Sequence, residues 1–155
     1  MITITTHRNL CEIGSKWLCN TPSWKFRCPY VLIEFSSSAA ENPDVFGLRG
    51  DKSICIEVKV SKTDFKRDIK KPHRHTGGIG LTRYYLCPKG MIKAEEITNG
   101  WGLLEYDESA KLIECIKESD LFPDRYYASE MMLMQSVIRR LAGTQKVLDF
   151  RKKNK

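Results

Sequence analysis

The chain has 155 residues, 41% hydrophobic and 29% charged, which is the balance of one ordinary soluble domain with a core of its own. No apolar run approaches membrane-spanning length, and residues 1–8 lack a charged segment followed by an apolar one, so neither a membrane span nor a secretion signal is expected and the expected location is the cytosol. The formal net charge of +7 suits a polyanionic partner but carries no information about fold.

In chain order, Thr6 can cap a helix from about His7 to Cys19 whose buried stripe is Leu10, Ile13, Trp17 and Leu18. The stretch from Asn20 to Pro29 contains Pro22 and Pro29 and reads as a loop, from which Trp24 and Phe26 can pack on a sheet. Tyr30 to Phe35 is rich in β-formers and reads as the first strand. A serine-rich connection follows, and it carries Glu41 three residues before Asp44. Glu41 reads as a solvated loop acid or a further cation ligand.

Asn42 to Val60 reads as two strands joined by the tight turn Arg49-Gly50-Asp51-Lys52. Ile54, Ile56, Val58 and Val60 alternate with Ser53, Cys55, Glu57 and Lys59. The apolar set asks to be buried. The opposite face sets a carboxylate beside an ammonium, and the turn brings Asp44 back towards them. Mg²⁺ takes oxygen ligands and keeps several waters, so Asp44, Glu57 and the Val58 carbonyl suffice to hold it. Such an ion lowers the pKa of its water, and Lys59 can orient that water or offset charge growing on a phosphate. The other reading of Glu57 and Lys59 is a salt-bridged pair on a solvated sheet face.

Pro43-Asp44, twelve intervening residues and then Glu57-Val58-Lys59 resembles the PD-(D/E)XK nuclease motif. The resemblance covers roughly residues 6–107. Within that superfamily it is most similar to a small phage and bacterial branch related to MmcB-type DNA-repair proteins. Besides the motif, the matching stretches are Ser61-Lys62-Thr63-Asp64-Phe65, Arg83 to Gly90 and Gly100 to Leu104. The resemblance implies a restriction-endonuclease-like αβββαβ core, with a mixed sheet flanked by helices. It also implies a nuclease that cuts DNA phosphodiester bonds with Mg²⁺, or Mn²⁺ in its place, in repair, recombination or phage DNA processing. Nucleases of this fold often carry a metal-holding acid on the first helix. Glu12 is the positional candidate here, and it reads equally as a solvated helix-face acid.

Ser61-x-x-Asp64 caps a helix that runs to about Lys70, where Pro72 stops it. Lys62, Lys66, Arg67, Lys70, Lys71 and Arg74 crowd this segment against only Asp64 and Asp68, which points to contact with the DNA backbone. The glycine-rich loop from Pro72 to Gly80 is expected to be mobile or to approach a phosphate, though it lacks the lysine-serine end of a P-loop. Arg83 to Pro88 reads as a fourth strand, Ile92 to Ile97 as a helical turn and Trp101 to Tyr106 as a fifth strand. Leu112 to Ile116 is only weakly periodic. Tyr126 to Leu141 is a helix with Met131, Met134, Ile138 and Leu141 on one stripe, a core face or a homodimer interface. Residues 1–145 form the expected single domain, and 146–155 a basic, disordered tail adding non-specific affinity for nucleic acid.

The six cysteines form no CxxC pair, and the spacing of Cys11, Cys19 and Cys28 with His73 or His75 matches no common zinc pattern. They read as reduced thiols used as small hydrophobes. No helix-turn-helix or zinc-finger signature is present, so substrate choice by DNA structure is favoured over choice by base sequence. Two other readings stand beside the nuclease. One is a catalytically silent nuclease-fold module that binds DNA. The other is an interaction domain using the methionine stripe.

Overall fold

The computed structural model describes residues 5–37 and 41–151. The expectations for residues 1–4, for 38–40 of the serine-rich connection and for 152–155 of the basic tail lie outside the described residues. The chain is α/β. Helix α1 spans His7–Asn20 and is followed by strands β1 (Tyr30–Ile33), β2 (Val45–Arg49) and β3 (Lys52–Val58). Helix α2 (Lys62–Asp68) and a 3₁₀ turn at Pro72–Arg74 lead to β4 (Thr82–Pro88). A second 3₁₀ turn, Ala94–Glu96, precedes β5 (Gly102–Asp107), β6 (Leu112–Lys117) and the C-terminal helix α3 (Tyr127–Ala142).

The six strands form one mixed sheet in sequence order. Strands β1, β2 and β3 are antiparallel, β3, β4 and β5 are parallel, and β6 returns antiparallel along β5. Each parallel step needs a crossover: α2 and the first 3₁₀ turn make the one from β3 to β4. Local signals begin the helices. The Thr6 side chain accepts from Asn9 N–H at 3.2 Å, and Ser61 Oγ accepts from Asp64 N–H at 3.1 Å.

The alternation of β3 is sorted onto two buried faces rather than one. Ile54, Ile56 and Val58 pack with Leu10, Cys11 and Leu18 of α1. Cys55 on the opposite face is fully buried with Phe46, Phe65, Tyr85, Trp101 and Leu133. Gly14 lets α1 lie close to the sheet: a Cβ there would meet Leu86 Cδ2 at 2.8 Å.

Several expectations shift. Strand β1 ends at Ile33: Glu34 still donates its N–H to the Asp44 carbonyl, but its left-handed φ of +44° turns the chain out of the strand. Trp24 does not pack on the sheet; it is exposed beneath the Arg49 guanidinium, whereas Phe26 is buried. The weakly periodic 112–117 segment is an edge strand with Ile113 and Cys115 turned inward. On α3 the packed residues are Leu133, Met134 and Val137, while Met131, Ile138 and Leu141 are exposed. The glycine-rich loop is tied down, with Ile79 N–H donating to Glu41 Oε2 and Gly80 N–H to Glu130 Oε1, each at 2.8 Å.

Candidate active site

The β2–β3 hairpin brings the acids together. Val45 pairs with Ile56, so Asp44 and Glu57 stand one register step further, on the same side of the sheet as Phe46 and Cys55. Asp44 Oδ2 accepts the Val58 N–H at 2.8 Å, which holds the carboxylate across the strand ends. Lys59, two residues beyond Glu57, places Nζ 3.7 Å from Glu57 Oε2 and 3.3 Å from Asp68 Oδ1. Asp44, Glu57 and Lys59 therefore line one cleft of about 420 Å³, together with His7, Glu41, Asp64, His73 and Arg74.

Two of these residues carry roles that their local sequence does not announce. Arg74 belongs to the basic run expected on DNA, yet it is 2% exposed. Its guanidinium reaches Asp68 (Nε–Oδ2 2.8 Å), Glu57 (NH2–Oε2 3.1 Å) and Glu41, and it lies over the Trp101 ring. Arg74 is thus the hub of a buried carboxylate network and not a surface contact. Glu41 is likewise no solvated loop acid; it is 4% exposed.

Burial pushes Glu57 up to about 8, with Asp44 adding to the rise while Arg74 and Lys59 oppose it. Burial also raises Glu41, against the opposing pull of Arg74 and the Ile79 N–H. Burial would raise Asp68 too, but hydrogen bonds from Arg74 and Lys71 hold it well below the usual carboxylate range. Four carboxylates (Glu41, Asp44, Glu57 and Asp68) face two enclosed cations, Lys59 and Arg74. Outside them the exposed Lys71 and Asp64 cancel. With Glu57 holding its proton one negative charge is left over, and releasing that proton to a bound cation would make it two, the charge a divalent cation neutralises.

The donor set also fits such an ion. Among the described residues, the hydrogen bonds and ion pairs of Asp44 fall on Oδ2 and those of Glu57 on Oε2, so Oδ1 and Oε1 are the oxygens a ligand could take. Hard oxygen donors at this count suit Mg²⁺ or Mn²⁺.

Glu12 is not brought to the cleft: it is exposed on α1 and pairs with Arg8 at 3.7 Å. The α1 residue that does arrive is His7, 3.3 Å from Asp44 Oδ2. Its signal was present in the helix phase, because His7 precedes Leu10, Cys11, Gly14 and Leu18 on the buried face. Of the basic run, Lys66, Arg67 and Lys70 are exposed on or beside α2. Lys71 is half exposed and pairs with Asp68, while Lys62 is engaged with Glu96 and the Met91 carbonyl. A cavity of about 430 Å³ elsewhere contains Arg125 and Glu130, but Glu130 is already engaged by Ser53, Gly80 and Arg125.

No protein-family model matches the chain, and no curated protein matches it. The chain is similar to the solved structure of a protein of unknown function from Silicibacter pomeroyi. The two are 21% identical with a TM-score of 0.51, over 79% of this chain and 84% of that one. At that identity the likeness speaks for the fold alone.

Proposed function

We propose that the chain is a divalent-cation-dependent phosphodiesterase acting on DNA, built on a restriction-endonuclease-like core. The observation that carries the reading is the meeting of Asp44, Glu57 and Lys59 in one cleft whose carboxylates outnumber its enclosed cations. Asp44 and Glu57 would hold Mg²⁺ or Mn²⁺, with the Val58 carbonyl beside them. The ion would supply Lewis acidity and a water of lowered pKa. Lys59, fixed between Glu57 and Asp68, supplies positive charge where a phosphate would gain negative charge. Asp68 and Arg74 keep Lys59 and Glu57 in register. Lys66, Arg67 and Lys70 lie outside the cleft and can follow a nucleic-acid backbone.

One observation favours a catalytically silent DNA-binding module instead: Arg74 already places a cation 3.1 Å from Glu57. The deciding experiment is cleavage of end-labelled branched, single-stranded and duplex DNA with Mg²⁺ or Mn²⁺ against EDTA. Cation-dependent cutting that falls about 10²–10³-fold in Lys59→Ala is the expected result. Absence of cutting on every substrate, with salt-sensitive binding retained, would establish the silent module.

A further inference from the structure

Beside the same cleft, His7 and Asp44, which line it, meet the buried Cys11 in a second, chemically different donor set. His7 and Cys11 are one turn apart on the first half of α1, and Asp44 meets them from the start of β2. His7 Nε2 lies 3.3 Å from Asp44 Oδ2 and 3.9 Å from Cys11 Sγ, which is 3.7 Å from the other ring nitrogen, Nδ1. One ligand atom from each of the three residues falls within 4.8 Å of the others. A tetrahedral zinc ion with ordinary bond lengths spaces its nitrogen and oxygen ligands about 3.4 Å apart, and nitrogen and sulfur about 3.6 Å apart. The His7–Asp44 separation is already that of two ligands on one ion, and Cys11 Sγ would have to close by a few tenths of an ångström or more to join them.

The surroundings point the same way. The other ring nitrogen, His7 Nδ1, stands 3.5 Å from Glu34 Oε1, the carboxylate–histidine arrangement that orients a metal-bound imidazole. Glu34 holds this place in a left-handed backbone conformation (φ +44°), with its N–H donated to the Asp44 carbonyl at 2.7 Å. Strain of this kind in a non-glycine residue concentrates at functional sites.

We propose that His7 Nε2, Cys11 Sγ and Asp44 Oδ2 bind a borderline-soft divalent ion of the zinc class, with the fourth position open to the cleft. Nitrogen and sulfur donors select such an ion over Mg²⁺, and three protein ligands with one position open is the pattern of sites that hold water or substrate. Cys11 releases its thiol proton to solvent on binding. Asp44 offers Oδ2 to this ion and keeps Oδ1 for the hard cation, so the inference touches the phosphodiesterase reading only through that shared carboxylate.

The test is titration of the full chain with Co²⁺ alone, read by the thiolate-to-cobalt charge-transfer band and reversed by Zn²⁺. One equivalent should produce the band in wild type. Cys11→Ser should abolish it, His7→Gln should weaken binding at least about a hundredfold, and Glu34→Gln about tenfold. Circular dichroism checks the fold of each variant; His7 is partly exposed, so His7→Gln remains informative if Cys11→Ser does not fold. Glu57→Gln should keep the band while losing Mg²⁺-dependent cutting, which separates this site from the other. No band in wild type, a band that survives Cys11→Ser in a folded protein, or a band lost in Glu57→Gln would each overturn the assignment.

Discussion

Replacing Arg74 by methionine removes the one group among the described residues that touches Glu41, Glu57 and Asp68 together. All four side chains are nearly inaccessible, so the three carboxylates would be left facing Lys59 and the exposed Lys71. Breaking a buried ion pair by deleting one partner costs about 3–5 kcal/mol, because the remaining charge stays desolvated. Glu57, pushed up to about 8, already holds a proton at pH 7, so the charge left uncompensated falls on Glu41 and Asp68. The expectation for Arg74→Met is therefore near the lower end, about 3 kcal/mol. In a chain of this size that loss lowers Tm by roughly 6–12 °C. Urea and thermal unfolding at pH 7 in EDTA read it directly. Added Mg²⁺ at about a hundred times its dissociation constant should return about 2.7 kcal/mol if the cleft takes the cation. A loss below about 1 kcal/mol, the range of exposed surface pairs, would refute the argument by showing that water already screens these carboxylates.

Four further outcomes are expected. Between its ordinary value of 4.5 and about 8, Glu57 keeps a proton in the folded chain that the unfolded chain releases. Its contribution to stability therefore falls as pH rises through that window, by up to about 1.4 kcal/mol per unit, and Glu57→Gln should flatten Tm against pH there in EDTA. Asp68 acts with the opposite sign: its contribution is present above its ordinary value of 3.8 and lost as pH falls below it, so Asp68→Asn should blunt acid unfolding. Gly80 has φ +96°, and a Cβ there would lie 2.7 Å from Cys55 Cβ and 2.9 Å from the Thr82 carbonyl. Gly80→Ala should thus cost about 1–3 kcal/mol in urea unfolding, and a neutral result would mean that the start of β4 can shift. Finally, Lys66→Ala, Arg67→Ala and Lys70→Ala should each reduce the salt slope of duplex binding by about 0.9, while Lys62→Ala, whose ammonium is engaged with Glu96, should not.

What the chain determines by itself is local and periodic. Thr6 and Ser61 mark helix starts through their own hydroxyls. The alternation of Ser53 to Val60 marks a strand, and the Gly50-Asp51 turn fixes its register, which alone brings Asp44 to Glu57 and Lys59. Edge strand β6 escapes such a reading because Leu112 and Ile116 are apolar on its exposed side, so the two-residue period is blurred. The stripe of α3 is misplaced for a related reason: apolar residues lie on both sides of that helix, and only contact with the sheet selects Leu133 over Met131.

The tertiary structure alone decides the electrostatics of the site. Arg74 sits in a run of exposed lysines and arginines, and nothing adjacent to it in sequence says that it is buried. Its partners come from three separate segments, Glu41 before β2, Glu57 on β3 and Asp68 at the end of α2. Likewise, Glu12 and His7 are on one helix, and the packing of α1 against the sheet turns His7 towards Asp44 and Glu12 towards Arg8. Periodicity reports which residues avoid water. Which charge meets which across tens of residues depends on long-range packing that carries no local repeat.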